Sequence, residues 1–142
     1  MAELRERPYP GCHFLVVIGA QGANAIDMGF SEVIFPPFAL DAETPRDAAT
    51  ATASVNNRLM LKRGVTGDLS LYSWWHRTRT GRTTRARTVD VQLLNEDHSK
   101  VVLTWRFRNA RPHSLTYSPL RAMASELVIE TLELTFDQVE MR

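Results

Sequence analysis

From Lys100 to Asn109 the chain reads KVVLTWRFRN. Val101, Leu103, Trp105 and Phe107 fall on one side of an extended backbone, and Val102, Thr104, Arg106 and Arg108 on the other. Strand side chains alternate with a period of two. The segment therefore fits a sheet with one face on a core and the other wet, as antiparallel sheets commonly are. No other stretch of the chain is as clearly two-faced, and it sets the expectation for the rest.

Further strands follow from the same reasoning. CHFLVVIG (Cys12–Gly19) is short, β-branched and closed by glycine, which suits a buried strand. GFSEVIFPPF (Gly29–Phe38) reads as a second, ended or placed on an edge by Pro36-Pro37, which cannot donate to a ladder. In VNNRLMLKRG, Leu59 and Leu61 share one face and Arg58, Met60 and Lys62 the other; Gly64 is expected to free the backbone for the next turn. RTVDVQLLN aligns Val89, Val91 and Leu93, and Asn95–Ser99 has hairpin-turn composition. PHSLTYSPL extends the β structure past Pro112, and Pro119 opens a short bend or helical turn through LRAMASE.

The last strand, LVIETLELTF, carries a row of Val128, Leu132, Leu134 and Phe136 broken by Glu130. Burying a lone carboxylate is costly, so Glu130 must reach water, a cation or a neighbouring chain. The opposite face, Ile129, Thr131, Glu133 and Thr135, suits a wet wall or a subunit contact.

One helix interrupts this pattern. Leu71, Trp74 and Trp75 stand at i, i+3 and i+4, with Tyr72 three before Trp75, and make one broad apolar face. Thr66 or Asp68 can cap its start, and Gly81 can stop it. The Trp74–Trp75 pair reads as core, with one ring free to face outward. Ala39–Asn57, rich in Ala, Thr and Asp, is either a long surface loop or a hairpin that orders only against a partner. The fold class expected is mainly β with one principal α-helix, an antiparallel sheet closed into a barrel or curled into a sandwich. All 142 residues fit a single domain with 39–55 as a long variable loop.

The residues offer little chemistry. The net charge of +1 argues against a general polyanion binder. Cys12 is the one cysteine, so an internal disulfide is excluded; a reducing compartment fits, and the thiol reads as a small core residue. His13, His76, His98 and His113 show no metal-ligand spacing, and no phosphate loop or nucleophile elbow occurs. Arg77, Arg79, Arg82, Arg85 and Arg87 make a basic stretch with no aromatic interleaved. It reads as a solvated loop, with a nucleic-acid-binding β domain as the less favoured alternative. The apolar run Phe14–Ala20 is short for a signal peptide and is preceded by Glu3, Glu6, Pro8 and Pro10, so a cytosolic product is expected.

Five segments in order, GFSEV (Gly29–Val33), LKRGVTG (Leu61–Gly67), LYSWW (Leu71–Trp75), WRFRNARP (Trp105–Pro112) and IETLEL (Ile129–Leu134), resemble the tail-tube protein family of contractile phages and phage-derived contractile injection systems. The resemblance implies a β-barrel or sandwich with a flanking helix, related in fold to haemolysin-coregulated protein. It implies hexameric rings that stack into a hollow tube, with sheath, baseplate and tube-terminator proteins as partners. DNA or effector protein is the implied cargo, and neither enzymatic activity nor a cofactor is implied. Assembly in the bacterial cytoplasm, then residence in a tail or injection particle with no membrane contact at rest, is the implied location. Gly64 would turn the chain from an inner-wall strand to an outer helix. Glu32, Arg63, Trp74 and Glu130 are the candidate subunit-contact residues; catalytic and metal residues are expected to be none. Ala39–Val55 departs from the family's loop, which meets the neighbouring ring. That departure leaves room for a specialised first-ring paralogue on a baseplate.

Overall fold

The computed structural model describes residues 2–20, 23–39, 57–81 and 86–142. The strands are β1 (Phe14–Ala20), β2 (Ala23–Met28), β3 (Glu32–Ile34), β4 (Arg58–Gly64), β5 (Arg87–Leu94), β6 (Val101–Tyr117), β7 (Ile129–Thr135) and β8 (Gln138–Met141). The helix α1 spans Ser70–Arg79. Neighbouring strands run in the order β2-β1-β5-β6-β7-β4-β3, with β8 also on β6, and every pairing is antiparallel.

β6 is the spine. Val101–Ala110 pairs with β5, part of it also with β8, and Arg111–Tyr117 pairs with β7. Between the halves Asn109 sits at φ 56°, a left-handed conformation that asparagine tolerates better than most residues. The Asn109 amide donates to Asp137 Oδ2 at 3.1 Å, and the Asp137 N–H donates to the Arg108 carbonyl at 3.0 Å. This corner lets one strand serve two half-sheets that fold over a shared core. Val16, Ile18, Val89, Val91 and Phe107 from one half meet Leu59, Leu61, Leu132, Leu134 and Phe136 from the other.

Several expectations hold at residue level. β4 buries Leu59 and Leu61, β5 buries Val89 and Val91, and β3 ends before Pro36. β6 continues through Pro112 to Tyr117. α1 buries Leu71 and Trp74, while Trp75 is half-buried and Tyr72 is exposed. Gly81, at φ 71°, ends the helix by donating to the Thr78 carbonyl.

Other expectations fail for identifiable reasons. Gly64 does not make the turn: it is the last residue of β4, and the reversal uses Gly67 at φ 94°. Cys12 is exposed, because it stands in the turn before β1 and not in the buried run. Val102, assigned to the wet face, is buried, because the N-terminal arm lies against this edge and the Glu3 N–H donates to the Val102 carbonyl at 2.8 Å. Ser118–Val128 makes a turn, with the Ala124 N–H on the Arg121 carbonyl, and no helix. β2 and β8 were not anticipated. The alternatives for Ala39–Asn57 fall on residues 40–56, outside the described residues.

Leu69 holds the N-cap position of α1 and has no polar side chain to offer. Asp68, one residue earlier, does the capping: Oδ1 accepts the Ser70 N–H at 3.0 Å and Oδ2 accepts the Ser70 hydroxyl at 3.0 Å. Those bonds, the backbone one first, hold the Asp68 carboxyl below the usual aspartate range. Asp68→Ala is therefore expected to cost about 1 kcal/mol at pH 7. A depressed carboxyl stabilises the fold above its unfolded pKa. The wild-type advantage should thus be complete at neutral pH and fade as pH falls through the folded value, below 3.8. Paired urea titrations at pH 7 and in the acid range check this.

Candidate functional site

Among the described residues three strands have a single partner each, and β2 and β3 end the strand order while β8 lies off it on β6. β2 bonds only to β1, and β3 only to β4. Exposed strand edges are templates for another chain, so a stable monomer normally blunts them. Here β3 is short and carries Glu32, exposed and directly opposite Lys62 of β4.

The register of β4 on β7 builds a polar outer face beside that edge. Arg58 stands opposite Thr135, Met60 opposite Glu133, and Lys62 opposite Thr131. Arg58 donates to Glu133 Oε1 at 2.9 Å, and the Ser114 hydroxyl donates to Oε2 at 3.1 Å. The Arg58 bond is the main cause that holds the Glu133 carboxyl below the usual glutamate range. A shallow concavity of about 360 Å³ lies between Glu32, Lys62, Thr116 and Thr131. This is a wetted, hydrogen-bonding wall.

The same register buries an ion pair on the inner face. Arg63 stands opposite Glu130, and its Nε donates to Glu130 Oε1. The two residues are 6% and 4% exposed. Arg63 also donates to Asp68 Oδ2 at 3.2 Å and to the Asp68 carbonyl at 3.0 Å, and its guanidinium lies 6.0 Å from the Phe30 ring centre. The network ties β4, β7 and the start of α1 together. Tyr117 stands opposite Glu130; burial, then its hydrogen bond to Glu130, pushes its phenol up. Glu130 thus reaches a cation, one of the three outcomes open to it from sequence.

Of the four candidate contact residues, Glu32 is exposed on an edge, whereas Arg63, Trp74 and Glu130 lie in the interior of the subunit. Trp74 packs in the core, and its indole N–H is buried without a hydrogen-bond partner among the described residues.

The outer face of the β5–β6–β8 half is a charge ladder. Arg106 grips Asp90 at 2.9 and 3.0 Å, and Arg108 grips Glu140 at 2.7 and 3.3 Å. Of the basic stretch, the Arg79 guanidinium lies 5.2 Å over Trp75 and that of Arg87 lies 5.0 Å over Trp74; Arg82 and Arg85 are outside the described residues. Burial pulls the Arg87 pKa down, with Arg77 adding repulsion. The sequence shows no aromatic between these arginines, because the stacking partners come from α1. His13 Nδ1 and His98 Nε2 approach to 2.7 Å across 85 residues, a pairing invisible in linear spacing. Among the described residues no three metal-ligating side chains gather.

The chain has no match among curated proteins. It is similar to a chain in the structure of the anti-feeding prophage baseplate, six-fold symmetrised: 25% identity, TM-score 0.80, with 97% of each chain covered. It is also similar to a chain in the sheath-tube complex of the PVC extracellular contractile injection system in the extended state: 23% identity, TM-score 0.75, covering 96% of this chain and 93% of that one. Hcp1 from Flavobacterium johnsoniae shares the fold at 16% identity and TM-score 0.57, covering 89% of this chain and 94% of that one. The family model described as T4-like virus tail tube protein gp19 matches residues 10–140, nearly the whole described fold, and the chain belongs to that family of tail tube proteins.

Proposed function

We propose that this protein is a structural subunit of the inner tube of a contractile phage tail or phage-derived contractile injection system. Six copies close a ring, and rings stack inside a sheath between baseplate and terminator proteins. DNA or effector protein travels through or with the tube when the sheath contracts. The subunit acts as a single domain, performs no catalysis, assembles in the bacterial cytoplasm and then becomes part of the particle. The observation that carries this reading is the pair of open borders, β2 and β3, at opposite ends of the strand order. A head-to-tail contact between two different borders closes into a ring when the rotation is right. Glu32 sits on one of these borders and keeps its contact role; Arg63, Trp74 and Glu130 serve it by holding β4, β7 and α1 in place.

A specialised first ring at a baseplate is the second reading. The likeness to a chain from a baseplate structure favours it. Electron microscopy and sedimentation of the purified protein, alone and co-expressed with its sheath, test both. Six-fold rings that lengthen into tubes are expected for the repeating subunit, and rings that stop at one or two layers for the end ring. A chain that stays monomeric with sheath and baseplate partners present overturns both.

A further inference from the structure

The exposed apolar side chains are unevenly distributed. Leu120, Met123 and Leu127, on the loop between β6 and β7, are 82, 100 and 81% exposed. The Val65 N–H donates to the Val128 carbonyl at 2.9 Å, and the Ser118 N–H to the Ile129 carbonyl at 2.9 Å. These bonds bring the loop to the same end of the sheet as Val65 and Leu69, which lead from β4 to α1, and Tyr117 at the close of β6. All three are also exposed. The loop bends around a concavity of about 390 Å³ between Pro119, Leu120, Ala124 and Val128.

A largely exposed Leu or Met presents on the order of 100 Å² of apolar surface. The six side chains together expose on the order of 500 Å² by that measure, at the upper end of the largest patch on a typical monomer. One side of a specific interface covers roughly 800 Å², a little over half of it apolar. The patch therefore matches the apolar share of one full contact.

The other end of the same half-sheet is apolar too. β3 runs antiparallel to β4 with Ile34 opposite Met60, so Ile34, Phe35 and Phe38 lie toward the Arg58 end, and all three are exposed. The open borders β2 and β3 flank the sheet sideways, whereas these two apolar surfaces cap it along the strand direction. If the borders join copies around a ring, the ends face copies above and below.

We propose that the Leu120–Leu127 loop, with Val65 and Leu69, is the axial docking surface for a second copy of this chain, received at the Ile34–Phe38 end. This rests on the tube reading above and adds to it which surface stacks the rings. An open head-to-tail contact of this kind propagates as a filament.

The test is the triple variant L120E/M123E/L127E, compared with wild type by electron microscopy and sedimentation. Circular dichroism confirms that the variant subunit remains folded. These side chains are largely exposed in the monomer, so its thermal midpoint should change little. The expected result is retained single rings with at least a ten-fold lower fraction of stacked rings. A second measurement uses F38C/M123C in a C12S background, in which oxidation should give a ladder of covalently linked copies. Stacks that persist in the triple variant overturn the proposal, and so does a folded variant that loses ring closure itself, since the surface would then be lateral. Wild-type protein that forms no rings in the presence of its partners overturns the tube reading, and this inference with it.

Discussion

Replacing Arg63 by methionine is expected to destabilise the subunit by about 3–5 kcal/mol, because it leaves Glu130 buried without its cation. At roughly 3–5 °C per kcal/mol for a domain of this size, the thermal midpoint should fall by about 9–25 °C. Glu130→Gln should cost less. Arg63 then keeps Asp68, whose side chain is half exposed and already receives a second guanidinium hydrogen bond. The double variant Arg63→Met/Glu130→Leu should recover most of the loss, since an apolar pair of similar volume avoids desolvating two charges. A double-mutant cycle by denaturant unfolding checks all three, and the coupling should exceed 1 kcal/mol for groups in direct contact. If the single variants prove additive, the pair is not the clamp between β4 and β7. The ion pair contributes little net stability compared with an apolar pair. The observed register is the one that keeps Arg63 beside Glu130: slipping β4 by one residue against β7 would turn Arg63 outward and bring Arg58, Met60 and Lys62 to the core face.

Phe107→Ala is the second large effect, expected at about 3–5 kcal/mol. Phe107 is fully buried, its ring lies 4.8 Å edge-on to Phe136 and 6.1 Å from Phe35, and it stands two residues before the Asn109 corner. It therefore fills the space where the two half-sheets meet, and truncation leaves a cavity that two different sheets would have to move to close. Phe107→Leu should cost about 1–1.5 kcal/mol. Guanidinium titrations with an unchanged slope would show that stability has changed and the extent of unfolding has not. Because subunits must be folded to present their borders, both Arg63→Met and Phe107→Ala should also lower the yield of rings, in proportion to the folded fraction.

The local pattern made the strands and their faces readable. Leu59 and Leu61 point inward in β4, and Leu132 and Leu134 do so from β7, with Phe136 just past its end, because alternation is a property of a few consecutive residues. α1 was legible for the same reason, with Leu71 and Trp74 on its inner side and Gly81 at its stop. β2 and β8 were not. β8 has only four residues, and it becomes a strand because β6 offers it an edge. The sequence points to Gly64 for the turn and Gly67 makes it, since composition marks both glycines and only the path from β4 into α1 decides between them.

The four contact candidates divide along the same line. The sequence shows that Glu130 interrupts an apolar row and must find a partner, but nothing in it names Arg63, 67 residues earlier. His13 and His98 meet across 85 residues with equally little warning. By itself, the sequence determined the mainly β class with one helix, the inward rows and the family resemblance, all of which rest on short-range periodicity and on ordered short motifs. Tertiary structure decided which strands are neighbours, that Arg63, Trp74 and Glu130 turn into the subunit while Glu32 stays on an edge, and that β2, β3 and β8 have one partner each among the described residues. The physical reason is that a side chain's face depends on its own few neighbours along the chain, whereas strand pairing depends on which distant backbone supplies the hydrogen bonds.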